Sequence, residues 1–218
     1  GKVLADGSMP AKGFVAADMS THNGQDYADA AYEKDAVESN LALAKKYWAK
    51  GLKQTGKKSV AFNLMADDTD AGKKTTEYLQ SRFTKLPGLK ITNENIPYKT
   101  RLARSQDGQF DMVVTEWVAD FPDPITFLQL MQSNNAYNNG PWQNKEYDKL
   151  TTDAEGRDAN KPNARWNDMV KAGKLLANQE GVIPLYQQAQ PQLVKSGVKG
   201  IQAFPTAPLW DWSKVTVK

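Results

Sequence analysis

The sequence predicts an α/β fold, a mostly parallel sheet flanked by helices. Short apolar runs bounded by turns alternate with stretches in which apolar residues recur every three or four positions. Strand, helix, strand, helix and strand fit into roughly sixty residues between Ser59 and Trp117, the order of crossover units on a parallel sheet. No internal repeat or low-complexity block interrupts that order.

The first forty residues are polar, without a sustained period, and are expected as loop and coil. From Val37 the positions Val37, Leu41, Ala44, Trp48 and Leu52 mark one buried helix face, and TGKK ends that helix. Ser59 to Met65 is an apolar run of strand length. Asp70 is placed to cap a second helix, with Tyr78, Leu79, Phe83 and Leu86 inward and Pro87-Gly88 as the stop. Leu89 to Ile96 predicts a strand, Thr100 to Ser105 a short helix, and Phe110 to Trp117 a third strand. Asp123-Pro124 predicts a helix start, because the Asp oxygen can accept from first-turn amides and Pro suits the first helical position. Phe127, Leu128 and Met131 then face inward. The loop SNNAYNNGPW, whose Asn134 to Asn139 predicts a surface turn, precedes a helix near Glu146 to Asp153. The longest helix follows Pro162, with Trp166, Met169, Val170, Gly173 and Leu176 on one side. Two strands with turns, then a Pro- and Trp-rich tail, complete the chain.

Of the 218 residues, 40% are hydrophobic and 24% charged, ordinary for a globular protein. The net charge of +3 is spread without a basic block, so nothing points to nucleic acid, which needs clustered cations. Cysteine is absent, excluding disulfides and thiolate metal sites. No apolar stretch approaches the roughly 20 residues that cross a bilayer. The opening GKVLADGSMP has neither initiator Met nor signal peptide, so the chain is expected to be a fragment of a longer precursor.

Catalytic chemistry has little to work with. His22, the single histidine, sits in a polar loop and is expected to be solvated; no GxSxG, HExxH, GxxxxGK[ST] or GxGxxG is present. Asp67 to Asp70 lack the Gly and distal Glu of a calcium loop and are expected to form a turn. No cofactor and no metal is implied. One constellation stands apart: Glu116-Trp117-Val118-Ala119-Asp120-Phe121-Pro122-Asp123-Pro124, at the end of the third strand. Ligands of open α/β sheets bind beyond the carboxyl ends of strands. The carboxylates of Glu116 and Asp123 also raise a glycoside hydrolase dyad as an alternative, although Asp123 is explained by helix capping.

The stretch TEWVADFPDPITFLQLMQSNNAYNNGPWQNKEYDKL resembles the signature of the family-5 extracellular solute-binding proteins, the oligopeptide and dipeptide receptors. Its parts are Trp117 to Asp120 (Trp-x-Ala-Asp), Phe121 to Pro124, the Asn-rich Asn134 to Asn139, and Tyr147 to Leu150. GSMPAKGFV, GQFDMVV and VIPLYQQ resemble further family segments, so the likeness runs over nearly the whole chain.

The resemblance implies one lobe of a two-lobed periplasmic-binding-protein-like (type II) fold, and no enzyme. Residues 1–202 would be the carboxy-terminal ligand-binding lobe, incomplete at its start, and 203–218 a tail returning to the other lobe. It implies a receptor that binds oligopeptides outside the cell and delivers them to the permease subunits of an ABC importer. The location would be extracellular, as a cell-surface lipoprotein anchored through an upstream part, or periplasmic. By resemblance, Asp120 pairs with the peptide's α-ammonium, the backbone of Glu116, Trp117, Val118 and Ala119 pairs with the peptide main chain, and Trp117 and Tyr98 wall the pocket. Some peptide receptors carry an Arg three residues before the signature Trp; Val114 stands there in this chain. Another solute for the same fold, such as a peptide pheromone, a sugar or a metal complex, remains the alternative.

Overall fold

The computed structural model describes residues 3–140 and 142–218; Pro141, in the Asn-rich loop read from the sequence, and the first two residues of the opening GKVLADGSMP lie outside them. The chain divides into two compact units, one built around Glu38–Glu116, the other from Asp6–Val37 and Trp117–Lys218.

The first unit carries the expected parallel sheet. Its strands are β1 (Val60–Asp67), β2 (Leu89–Ile96) and β3 (Met112–Val113), and its helices are α1 (Leu41–Thr55), α2 (Asp70–Phe83) and α3 (Tyr98–Gln106). The strand order is β2-β1-β3, all parallel, with Val60 opposite Leu89 and Leu64 opposite Met112. Leu64, Leu89 and Ile91 form the apolar layer, against which Trp48 of α1, Leu79 and Phe83 of α2, and Met112 and Val114 pack. Each such side chain taken fully from water contributes about 1.5–3 kcal/mol. The opposite face of β1 and β2 is ionic, where Asp67 meets Arg101 and Glu94 meets Arg104, both arginines on α3. The chain therefore leaves β1 on one side and reaches β3 from the other, a switch in strand order at the carboxyl ends of β1 and β3, where open α/β sheets bind ligands.

Several boundaries move for local reasons. The helix expected from Val37 begins at Leu41, where the Asn40 side chain accepts the Leu43 N–H at 3.0 Å. Thr69, rather than Asp70, caps α2, accepting the Gly72 N–H at 3.0 Å. Gly72 is needed there, since a Cβ would stand 2.2 Å from the Asp67 carbonyl oxygen. The third strand shrinks from Phe110–Trp117 to Met112–Val113, its ladder with β1 being confined to Leu64 opposite Met112 and Met65 opposite Val113. Helix α3 begins at Tyr98, two residues before the expected Thr100.

The second unit contains the helices α4 (Ile125–Leu128), α5 (Lys145–Glu155) and α6 (Pro162–Asn178), joined by long irregular segments. Phe127, Leu128, Met131, Trp166, Met169 and Leu176 are buried in one cluster, as the periodicity of the sequence required, and Tyr147 is buried with them. The Tyr27 hydroxyl donates to the Met169 carbonyl at 2.6 Å and that of Tyr147 to the Leu128 carbonyl at 2.6 Å. Burial pushes both phenols well above their ordinary pKa. The first forty residues are more ordered than expected, with a hairpin (Thr21–His22 with Gln25–Asp26) and a short helix at Tyr27–Ala30. Short antiparallel pairs complete the unit: Met9–Pro10 with Tyr186–Gln187, Gln202–Ala203 with Trp210–Asp211, and Val198–Lys199 with Thr216–Val217.

Candidate functional site

In the second unit, the segment after the sheet is anchored residue by residue. The Trp117 indole packs partly against the buried cluster, and the Tyr137 ring meets it edge-on at 4.9 Å between centroids and 65° between planes. Its Nε1 is shut off from solvent and has no acceptor among the described residues. Val118 is exposed, whereas Ala119 is buried, main chain and side chain together. The Ala119 carbonyl accepts the Ala207 N–H at 2.8 Å. One residue on, the Asp120 N–H donates to the buried Thr126 hydroxyl at 3.1 Å. The peptide group joining Ala119 to Asp120 is thereby held at both its C=O and its N–H, while the Asp120 carboxylate is exposed and makes no hydrogen bond or ion pair with any described residue. A carboxylate so placed is ready for a cationic partner.

Asp123 differs. Its Oδ1 accepts the Ile125 N–H at 2.9 Å, the expected cap, and its two oxygens take the Arg165 guanidinium at 2.8 and 2.9 Å. A carboxylate engaged in this way is not free for a catalytic pair.

In the first unit, Tyr98 is the opening residue of α3 rather than the end of a strand, because β2 stops at Ile96 and Pro97 follows. It is 57% exposed, with the Arg101 guanidinium carbon 5.1 Å from its ring centroid. Arg101 is 2% exposed and reaches Asp67 at 2.9 and 3.2 Å and the Thr115 hydroxyl at 3.2 Å. Asp67, expected to belong to a turn, is thus the buried arginine's partner. Glu116 is exposed, and Val114 packs against the apolar layer of the sheet. The main-chain groups of Glu116, Trp117 and Val118 make no hydrogen bond with any described residue.

Other residues also depart from expectation. His22 is half-buried, stacked on Trp166 with centroids 5.2 Å apart, and bonded through Nε2 to the Asn163 amide oxygen at 2.7 Å. Tyr137 of the Asn-rich loop joins Trp117, and Asn138 is buried with its amide donating to the Gln132 and Trp142 carbonyls. Among the described residues no cluster of His, Asp or Glu is placed to hold a metal ion, and no helix is long and apolar enough to cross a membrane.

A parallel sheet with helices on its faces defines the class, the α/β type II periplasmic-binding fold, which solved structures similar to this chain share. The family model for bacterial extracellular solute-binding proteins, family 5 (middle part), matches residues 2–139, and the chain belongs to this family. It is 32% identical over 221 residues to a dipeptide-binding protein of Lactococcus lactis subsp. cremoris, covering 100% of this chain and 40% of the relative. It is similar to the crystal structure of a peptide-binding protein of a peptide ABC transporter, with a TM-score of 0.81, 39% identity, and coverage of 86% of this chain and 83% of that one. It is also similar to Listeria monocytogenes OppA bound to peptide, with a TM-score of 0.86, 30% identity, and coverage of 99% of this chain and 41% of that one. The chain spans 40% of the length of the Lactococcus relative.

Proposed function

We propose that this chain is the carboxy-terminal ligand-binding lobe of an extracytoplasmic oligopeptide receptor, which delivers its ligand to the permease subunits of an ABC importer. In this reading Asp120 pairs with the peptide's α-ammonium. The observation that carries it is the exposed, unpartnered carboxylate of Asp120 on a main chain pinned by Thr126 and Ala207. A free peptide amino terminus has a pKa near 7.7–8.0 and is largely cationic at neutral pH.

The unpaired main chain of Glu116, Trp117 and Val118 supports a second element of recognition. Hydrogen bonding to it as an added strand holds an extended peptide without reading its side chains. Ala119 would contribute less than the sequence suggested, since its carbonyl is already taken by Ala207. In the second unit Trp117 and Tyr137 supply aromatic surface for side chains; in the first unit the exposed Tyr98 ring does so separately. In this reading residues 203–218 are the tail that returns to the other lobe; Trp210–Asp211 pair with Gln202–Ala203 and Thr216–Val217 with Val198–Lys199. The protein acts outside the cytoplasm, attached through a lipid anchor or free in the periplasm, and catalyses no reaction.

The test is Asp120→Ala in a receptor of the full length of its relatives, titrated calorimetrically with unmodified oligopeptides. Affinity is expected to fall at least tenfold, about 1.4 kcal/mol. Unchanged affinity removes Asp120 from the site.

A further inference from the structure

The carboxyl ends of β1 and β3 are joined by one side chain. Arg101 is 2% exposed, so a ligand cannot touch it, yet every hydrogen bond recorded for its guanidinium goes to a residue at the sheet's ligand-facing edge. Nε and Nη2 hold both oxygens of Asp67, the last residue of β1. Nη1 donates to the hydroxyl of Thr115, which immediately precedes Glu116. The guanidinium also lies under the Tyr98 ring, one turn earlier on α3. A guanidinium is a planar fork whose donors have fixed directions, so it sets the relative positions of its partners where a lysine ammonium cannot. The main chain after Thr115 has no ladder partner, since pairing with β1 ends at the Val114 N–H. The Thr115 hydroxyl bond is therefore the last hydrogen bond, among the described residues, before the unpaired main chain of Glu116 to Val118 leaves the sheet.

We infer that Arg101 is a positioning residue for ligand recognition: its fork ties Asp67, Thr115 and Tyr98 together and so presents the Glu116 main chain and the Tyr98 ring to the bound peptide. The inference rests on the peptide-binding reading above and adds a determinant of affinity that touches no ligand. Within the triad, Asp67 neutralises the buried cation and Thr115 is the group whose position matters to the ligand. The informative substitution is accordingly at Thr115, because Arg101→Ala leaves Asp67 without its partner and endangers the fold.

The experiment compares Thr115→Val, Thr115→Ser and Asp120→Ala with the unsubstituted receptor at full length, measuring calorimetric peptide affinity and the thermal unfolding midpoint of each. Val keeps the volume of Thr and removes the acceptor. Thr115→Val is expected to weaken peptide binding about fivefold, the order of one ordinary hydrogen bond, since the Thr115 residue is exposed and water screens its bond to the guanidinium. Thr115→Ser is expected to restore the affinity, and affinity measured well below the unfolding midpoint should not follow the midpoint across the set. A purely structural role would lower the midpoint in Thr115→Val and leave affinity at low temperature unchanged, and that result overturns the inference. If Asp120→Ala loses affinity while Thr115→Val does not, the peptide-binding reading stands and the positioning role falls. If the unsubstituted receptor binds no peptide, both fall together.

Discussion

Replacing Gly173 by Ala tests the packing that supports the site-bearing unit. Gly173 lies within α6, where a Cβ would stand 2.6 Å from the Tyr27 hydroxyl oxygen and 3.2 Å from the Ala31 Cβ. Tyr27 cannot retreat, being 1% exposed, bonded to the Met169 carbonyl at 2.6 Å and packed edge-on against Trp166. On propensity alone the substitution would stabilise the helix by about 1 kcal/mol. Opposing this, overpacking costs about 1–3 kcal/mol. Displacing the phenol from its acceptor leaves a buried hydroxyl unsatisfied, a further 1–3 kcal/mol or so. The net is a destabilisation of about 1–5 kcal/mol, which lowers the unfolding midpoint by at least about 2 °C in a chain of this size. Thermal and urea unfolding of Gly173→Ala, Tyr27→Phe and the double variant read it out. The double variant should be less destabilised than the sum of the singles by about 1 kcal/mol, because removing the phenolic oxygen removes the clash. A Gly173→Ala protein as stable as the parent, or more so, would refute the reasoning.

Two further outcomes concern the same unit. Tyr147→Phe removes the buried hydroxyl bonded to the Leu128 carbonyl and is expected to cost about 1 kcal/mol in urea unfolding; no loss would mean that this hydrogen bond contributes nothing. Asp158, between α5 and α6, is held down to a pKa of about 2 by the Arg157 guanidinium and then the Lys161 ammonium. A carboxyl lowered on folding contributes stability that is fully present above its unfolded value near 3.9 and is lost as the pH falls through about 2. Neighbouring Asp168 is raised, first by burial and then by Asp158, so its contribution has the opposite sign. Asp158→Asn should therefore flatten the fall of the unfolding midpoint between about pH 4 and 2, and an unaltered slope would contradict the assignment.

The fold was legible where periodicity and turn chemistry coincide. β2 begins and ends at the expected residues, and Met169 and Leu176 of α6 are buried as their spacing required. Boundaries slipped where a side chain decided them, as when Asn40 and Thr69 took the caps. The length of β3 was not legible, because its pairing with β1 stops at Val113 although β1 itself runs on to Asp67, and nothing in the local sequence marks that point. Within the candidate site, Trp117 and Asp120 were marked by their motif, but the contacts that hold them come from afar in sequence. Thr126 and Ala207 are ordinary residues that matter only because the chain folds back. Tyr137 was hidden in a run of asparagines that suggested nothing beyond a surface turn, although an aromatic side chain there is a signal that could have been weighed. Asp67 looked like part of a turn because its partner, Arg101, lies 34 residues away.

The most direct measurement of the central claim is a calorimetric cycle with the full-length receptor and its Asp120→Asn variant, each titrated with one peptide bearing a free amino terminus and with its N-acetylated form. If the ammonium and Asp120 meet, acetylation and substitution each weaken binding at least tenfold, and acetylation changes little once Asp120 is gone. Equal losses on acetylation with and without the Asp120 carboxylate would contradict the account.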